Sequence, residues 1–157
     1  MNREVLLIAE QIKDAYEGNP WYGRNMKQLL SEIGETIAFE KPAGQHSILE
    51  LLWHMIAWKE FIISRLRTDN DKPLHYFEER DWMQLDHSDK KLWKEGLKKF
   101  HELHTELVDI IWQQKDELLA QKVSERNYDF RKLLHGIVEH DIYHIGQVAY
   151  IVKMLKK

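Results

Sequence analysis

Two histidines, His140 and His144, lie four residues apart in the stretch VEHDIYHIGQVAYIV near the end of the chain. On an α-helix this spacing places both side chains on one face. The pair has three interpretations: polar core residues with hydrogen-bond partners, a chance spacing, or two ligands of a metal ion. Nine histidines among 157 residues give roughly half such a pair by chance, so the spacing alone is not specific. Asp141 follows His140, so the H-E-x-x-H motif of zinc proteases is absent.

A helical wheel of the last predicted helix shows which way these histidines face. His144 lies inside the apolar arc and His140 lies at its edge, whereas His135 falls on the opposite, polar side. The wheel therefore predicts that the pair faces the interior of the protein. Taken alone, an inward histidine is more often a hydrogen-bonded core residue than a metal ligand, because burying an unpaired imidazole is costly.

A third histidine would make a metal site, and two candidates come from other predicted helices. His54 in LLWHMIAW and His104 in FHELHTELV both lie among apolar neighbours, and periodicity does not choose between them. A site of three imidazoles suits Zn²⁺, Ni²⁺ or Fe²⁺ and leaves a coordination position open, as catalytic sites require. Such a metal lowers the pKa of a bound water or deprotonates a bound thiol. The chain has no cysteine, so that thiol would come from a small molecule.

Two other side chains could orient an imidazole through its second nitrogen. Glu50 precedes His54 by one turn, but it also completes an S-x-x-E capping box with Ser47, which is the interpretation we favour. Gln147 lies near His144 on the wheel. The wheel supports two roles for Gln147 equally: a hydrogen-bond partner of the imidazole, or an ordinary polar residue. No general base is identifiable, and Glu50 and Asp141 are poor candidates for one.

Hydrophobic periodicity predicts four long amphipathic helices and no convincing strand, which is typical of an all-α bundle. Residues 1–157 are expected to form one domain. A short helix is predicted within residues 24–34, a long irregular connection over 67–87, and a short helical piece at the start of the segment after residue 115. The long helices are predicted at residues 2–17, 48–67, 88–115 and 130–155.

Composition excludes several classes of protein. The formal net charge of −3 argues against nucleic-acid binding, which requires a basic surface. No apolar run approaches the roughly 20 residues of a membrane span, and the charged N-terminus does not resemble a signal peptide. We therefore expect a soluble, cytoplasmic protein. The open metal position described above implies a small-molecule substrate.

The stretches WHMIAWKEFIISRL and LLHGIVEHDIYHIGQVAYIVKML resemble the DinB-like (YfiT-like) family of metalloenzymes, as do PWYG, the KP loop and DWMQLD. The resemblance implies an up-down-down-up four-helix bundle, often dimeric, in which a divalent metal, commonly nickel or zinc, is held by three histidines. The three histidines of the family correspond to His54, His140 and His144 in this chain, so the resemblance excludes His104 as a metal ligand.

The same resemblance implies a class of reaction. Characterised relatives transfer low-molecular-weight thiols of the bacillithiol or mycothiol type, so a thiol S-transferase is the function we expect. A metal-dependent hydrolase of unknown substrate and a non-catalytic, dimerising metal-binding bundle are the alternatives. Four aromatic residues either line a substrate pocket or, as we favour, serve as core and loop anchors: Trp21, Tyr22, Trp58 and Trp82.

Overall fold

A computed structural model describes residues 3–67 and 72–156. These residues form seven α-helices, and their only β-type pairing is an isolated bridge between Lys122 and Asp129. Short 3₁₀ helices cover Pro42–Gly44 and Asp116–Ala120. The α-helices are α1 (Glu4–Glu17), α2 (Met26–Ser31), α3 (Glu35–Phe39), α4 (Ile48–Leu66), α5 (Leu74–Glu78), α6 (Lys91–Trp112) and α7 (Phe130–Leu155).

Side-chain caps explain where the central helices begin. The hydroxyl of Ser47 accepts the N–H of Glu50 at 3.2 Å, and the Glu50 carboxylate accepts the N–H of Ser47 at 2.8 Å, so the predicted capping box is confirmed. Asp129 begins α7 in a similar way, because its carboxylate accepts the N–H of Lys132 at 2.9 Å. Both caps satisfy backbone donors that the first turn of a helix leaves without partners.

The predicted helix over 88–115 is too long at both ends. Asp86 accepts the N–H of Ser88 at 2.9 Å and its hydroxyl at 2.6 Å, which holds the chain in a turn before α6 begins at Lys91. After Trp112 the backbone becomes extended at Lys115. The Asp116 carboxylate then accepts the N–H of Val5 at 2.9 Å, which joins this end to the start of α1.

The other predicted boundaries need smaller corrections. The first helix begins at Glu4, and residue 2, where it was predicted to begin, lies outside the described residues. The segment 24–34 forms α2, with α3 following at Glu35. The connection predicted to be irregular contains α5, which forms because it buries Phe77 against α4, while residues 68–71 lie outside the described part.

Four of the helices pack side by side around the core. α4 packs against α6 and α7, and α1 packs against the same two helices. Glu4 at the start of α1 forms an ion pair with Arg131 at the start of α7, with 2.7 Å between Oε1 and Nε. Arg65 near the end of α4 donates to the carbonyl of Ser124 just before α7 at 3.3 Å. None of the helices in the described ranges is long and apolar enough to cross a bilayer.

The apolar core is divided into two clusters. One contains Leu52 and Met55 of α4 with Val148 of α7, and the other contains Phe61 of α4 with Ile137 of α7. Between them lies a layer of buried polar side chains: His54 and Lys59 of α4, His104 of α6, and Asp141 and His144 of α7. Buried polar groups cost free energy unless they are paired, so this layer constrains how α4, α6 and α7 fit together.

An ion pair in the polar layer joins Lys59 and Asp141. Lys59 is 0% exposed and Asp141 is 5% exposed, and the ammonium nitrogen lies 2.6 Å from Asp141 Oδ2. The ammonium group also lies 5.1 Å from the ring centroid of Phe100 on α6. Burial, the largest single cause, raises the pKa of Asp141, but Lys59 and His140 together lower it more, so the pKa lies below its ordinary value.

We predict that Lys59→Met destabilises the protein by about 3–5 kcal/mol, because it leaves a buried carboxylate without a counter-ion. The double variant Lys59→Met/Asp141→Leu should recover most of that loss, since it removes both charges. Urea unfolding followed by circular dichroism measures the free energies. Lys98→Met, which removes one partner of an exposed i, i+4 pair, is the control and should have little effect. Equal stability of the single and double variants would contradict the interpretation.

Candidate metal centre

Three histidines meet between α4 and α7. The Nε2 atom of His54 lies 3.0 Å from Nε2 of His140, and Nε2 of His144 lies 3.1 Å from the same atom. His54 and His144 are buried, and His140 is partly exposed. These side chains form a group that could hold a metal ion. The structure thus brings together the three histidines expected from the resemblance.

The fold brings these side chains together through two neighbouring helices. His54 lies near the middle of α4, and His140 and His144 occupy successive turns of α7. The buried Lys59–Asp141 pair connects the same two helices little more than one turn from His54 and one residue from His140. Sliding one helix along the other would separate this ion pair, so the pair fixes the register in which the histidines meet.

The spacing of the three Nε2 atoms fits a first-row divalent metal. Imidazole nitrogens that bind zinc at about 2.0–2.1 Å lie roughly 2.9–3.4 Å apart in octahedral or tetrahedral arrangements. The observed separations of 3.0 and 3.1 Å fall in this range. Three imidazoles also match the ligand preference of zinc and nickel.

Hydrogen bonds on the far side of two rings leave Nε2 as the metal-binding atom. Nδ1 of His144 lies 2.6 Å from the amide oxygen of Gln147, and Nδ1 of His54 lies 3.3 Å from the backbone carbonyl oxygen of Asp81 and 2.7 Å from its Oδ1. Both partners are acceptors, so each Nδ1 carries the proton and each Nε2 carries the lone pair. Gln147 therefore makes the contact with His144 that the helical wheel suggested.

Asp81 was not among the candidates, although it lies in the DWMQLD stretch. Its carboxylate accepts from the indole N–H of Trp58 at 2.6 Å while contacting His54. Carboxylate–histidine pairs of this kind fix ring orientation and raise the basicity of metal-bound imidazoles. Asp81 follows α5 in a connection without periodicity, so an acidic residue beside an aromatic motif was the only signal in the sequence.

The third imidazole has a different environment. Nδ1 of His140 is buried and has no hydrogen-bond partner within the described residues. It lies 3.9 Å from Oδ1 of Asp141, which is too far for a hydrogen bond. Asp141 instead uses Oδ2 for Lys59. His140 is therefore the least constrained of the three rings.

The surroundings keep the cluster in the uncharged form that metals bind. Burial, together with the nearby imidazole of His140, lowers the pKa of His144 to about 4. The same two causes lower the pKa of His54, and Asp81 opposes them only in part. Neutral imidazoles are the form that coordinates metals, so both side chains are ready to bind at neutral pH.

The remaining candidates lie outside this cluster. Glu50 contacts Ser47, Lys41, His46 and His87 among the described residues, which agrees with the capping interpretation. Burial raises the pKa of Glu50, but Lys41 and the Ser47 N–H lower it to about 2. His104 lies elsewhere in the polar layer, where it stacks on Tyr16 with ring centroids 4.0 Å apart.

A cavity of about 420 Å³ lies beside the cluster, and we call it the Trp82 cavity. The indole ring of Trp82 stacks nearly parallel on the imidazole of His54, with ring centroids 4.0 Å apart. Its other face stacks on the imidazole of His46, with ring centroids 3.9 Å apart. Trp82 is 41% exposed, whereas Trp21 lies fully on the surface. The cavity therefore connects the cluster to solvent, and it is bounded by Leu51, Trp82, Tyr143, His144, Gln147 and Tyr150.

Comparison with known proteins identifies a family. A sequence model of the DinB superfamily matches residues 22–148, which is more than half of the chain and includes all three clustered histidines. No curated protein matches the chain.

The burial of His104 predicts a dependence of stability on pH. Burial and the nearby charge of Lys59 lower its pKa to about 3, whereas the unfolded chain takes up this proton near 6.5. The contribution to stability is therefore fully present above pH 6.5 and is lost as pH falls toward 3. Between pH 7 and 4.5 the loss attributable to His104 should be on the order of 2 kcal/mol.

His104→Phe, which keeps a ring against Tyr16, should flatten this dependence by about that amount. Urea unfolding at several pH values measures it. His54 and His144 contribute in the same direction, so a smaller slope should persist. An unchanged slope in the variant would show that His104 does not titrate as its burial implies.

Loss of the outer hydrogen bonds should weaken metal binding. We predict that Asp81→Ala and Gln147→Met each lower zinc affinity about 10- to 100-fold, because the imidazoles lose their fixed orientation. Competition against a chromophoric chelator measures the affinity. Glu79→Ala, which removes an exposed acid two residues from Asp81, is the matched control. If it weakens binding as much as Asp81→Ala does, general electrostatics and not orientation is responsible.

Proposed function

The chain belongs to the DinB superfamily, and we propose that it is a divalent-metal-dependent enzyme whose metal is held by His54, His140 and His144. The proposal is carried by the convergence of the three Nε2 atoms at 3.0 and 3.1 Å. Membership of a fold family does not define a reaction, so the chemistry must be argued from the site. Nickel and zinc are the metals that we propose, since both accept three imidazoles.

The reaction that we propose is transfer of a low-molecular-weight thiol to an electrophilic small molecule. When bound, the metal would stabilise the thiolate form of the thiol at neutral pH. The thiol proton passes to solvent, the sulfur forms a bond to an electrophilic carbon, and the leaving group departs with its electron pair. The chain contains no cysteine, so the sulfur belongs to a cosubstrate, for which a bacillithiol-type thiol is our proposal.

The carboxylates near the cluster support thiol transfer over hydrolysis. A metal activates water as well as a thiol, but hydrolysis also needs a group that gives a proton to the leaving alkoxide or amine, whereas the leaving group of thiol transfer departs with its electron pair. Asp81 is engaged by His54 and Trp58, and Asp141 is paired with Lys59. Both carboxylates are therefore engaged by other groups, Asp81 through Oδ1 and Asp141 through Oδ2. A metal-dependent hydrolase is therefore the second choice.

The Trp82 cavity supports an enzyme over a structural metal site. Structural zinc sites are closed by four protein ligands, whereas catalytic sites keep a position for substrate. Here the cluster has three histidines, and His144 lines a cavity that reaches solvent. Gln147 and Asp81 hold the rings in place, and the flat face of Trp82 shields His54 from water on the cavity side.

The assembly is also part of the proposal. We propose one domain over residues 1–157 in an up-down-down-up bundle, located in the cytoplasm and forming homodimers. The contacts Glu4–Arg131 and Val5–Asp116 support the helix order, because they join the start of α1 to the start of α7 and the region after α6. An exposed apolar face of α7 supports a dimer, with or without catalysis: Ile142, Tyr143, Tyr150 and Met154. Tyr143, Tyr150 and Met154 also line the Trp82 cavity, so a partner chain on this face would border the opening of that cavity.

Metal analysis of the purified protein tests the site. We expect about one zinc or nickel ion per chain, measured by mass spectrometry, and its loss in His144→Ala because two imidazoles bind much more weakly than three. His135→Ala, which changes a histidine on the same helix outside the cluster, is the control. Unchanged stoichiometry in His144→Ala would contradict the proposal.

The same preparations separate the candidate reactions. Thiol consumption with an aryl halide electrophile should require both the metal and His144. Ester cleavage that needs the metal but no thiol would indicate a hydrolase. Metal binding without either activity across a broad screen would favour the non-catalytic bundle.

A further inference from the structure

A second cavity lies on another side of the histidine cluster, and we call it the Trp58 cavity. Its volume is about 240 Å³, and its lining includes Trp58, Phe61, Ile62, Leu133, Ile137 and His140. It shares no lining residue with the Trp82 cavity, which reaches the cluster through His144 instead. The cluster is thus approached from two directions, through two different histidines.

The Trp58 cavity is apolar in its body but positively charged at its edge. Lys132 is part of the lining, and its ammonium group lies 5.6 Å from the ring centroid of Tyr128, which also lines the cavity. The guanidinium of Arg126 lies 5.7 Å from the ring centroid of Trp58 and 5.3 Å from that of Phe61. Lys132 therefore lies in the lining of an apolar space, and Arg126, which is outside the lining, lies against two of its aromatic walls.

Acidic partners for these cations are not found in the part of the chain that the structure describes. The nearby Glu125 carboxylate is used by Arg65 at 2.9 Å and by the N–H of Leu74 at 3.0 Å. Nε of Arg126 is buried and has no hydrogen-bond partner within the same residues. A buried guanidinium N–H without an acceptor is unfavourable, so this nitrogen favours an acceptor from outside the described residues.

We propose that the Trp58 cavity binds an amphipathic anion, with its apolar body between Trp58 and Ile137 and its carboxylate or phosphate group on Arg126 and Lys132. A volume of about 240 Å³ is sufficient for a small acyl or aryl group. Arginine and lysine recognise both anions, since each supplies charged N–H donors. The proposal that an anion binds here depends only on this cavity. The proposal that this anion is a second substrate of the enzyme rests on the proposed function.

Titration of the ¹⁵N-labelled full chain tests this site, with the indole N–H of Trp58 and the amide of Gly136 as reporters. The probes are hexanoate and hexyl phosphate, compared with hexanol and hexylamine. We expect at least one anion to bind about tenfold more tightly than either uncharged or cationic analogue. The stronger of the two anions identifies the headgroup, and equal binding of hexanol would overturn the assignment of an anion site.

Two variants separate the charge from the cavity. Arg126→Gln should weaken anion binding about tenfold while leaving hexanol unchanged. Gly136→Leu should abolish binding of all probes, because a side chain at Gly136 meets no neighbouring atom within 4 Å and projects from the lining of the cavity. Gly146→Leu on the same helix is the matched control, since Gly146 has equally open surroundings and lies outside this lining.

Replacing glycine within a helix raises helix propensity, so unfolding does not explain a loss of binding in Gly136→Leu. Wild-type affinity in that variant would overturn the proposal. The titration is repeated with a chelator present and in His144→Ala. Anion binding that persists there would leave the Trp58 site intact even if the metal site fails.

Discussion

The buried ion pair between Lys59 and Asp141 is the contact on which the arrangement of the site depends. It lies in a polar layer between two apolar clusters, where each charge is tolerated only because the other is 2.6 Å away. Apolar side chains pack in many registers, whereas an ion pair in a dry interior permits only one. The pair therefore sets the register of α4 against α7, and the meeting of His54 with His140 and His144 follows from it.

The same layer explains why the histidines are suited to bind a metal. Burial makes charged imidazoles unfavourable, so His54 and His144 are held neutral, with the pKa of His144 at about 4. Acceptors on their outer nitrogens, Asp81 and Gln147, leave the Nε2 atoms directed at one another at the centre. Nε2 of His140 lies 3.0 and 3.1 Å from the other two Nε2 atoms, so a single hydrogen atom there cannot serve both contacts well, whereas a bound cation would accept a lone pair from each ring. Cavities on two sides then give small molecules access to the cluster.

Local patterns in the sequence predicted the helices and half of the site. The period of α7 placed His140 and His144 on one face, and the Ser47–Glu50 capping box located the start of α4, because both features depend on residues within one or two turns. The choice between His54 and His104 was beyond periodicity, since both face inward and only helix pairing separates them. Asp81, 27 residues from His54 along the chain, and the Lys59–Asp141 pair depend on tertiary contacts in the same way. The sequence predicted α6 to be too long at both ends, because the hydrogen bonds of Asp86 and Asp116 stabilise other backbone conformations there.

A crystal structure of the full chain grown with zinc, with anomalous scattering recorded at the zinc absorption edge, is the most direct test of the three-histidine metal site. We expect one anomalous peak bound by Nε2 of His54, His140 and His144 at about 2.0–2.1 Å, with a non-protein ligand facing the Trp82 cavity. A fourth protein ligand that closes the site, or an anomalous peak elsewhere with none at the histidines, would contradict it.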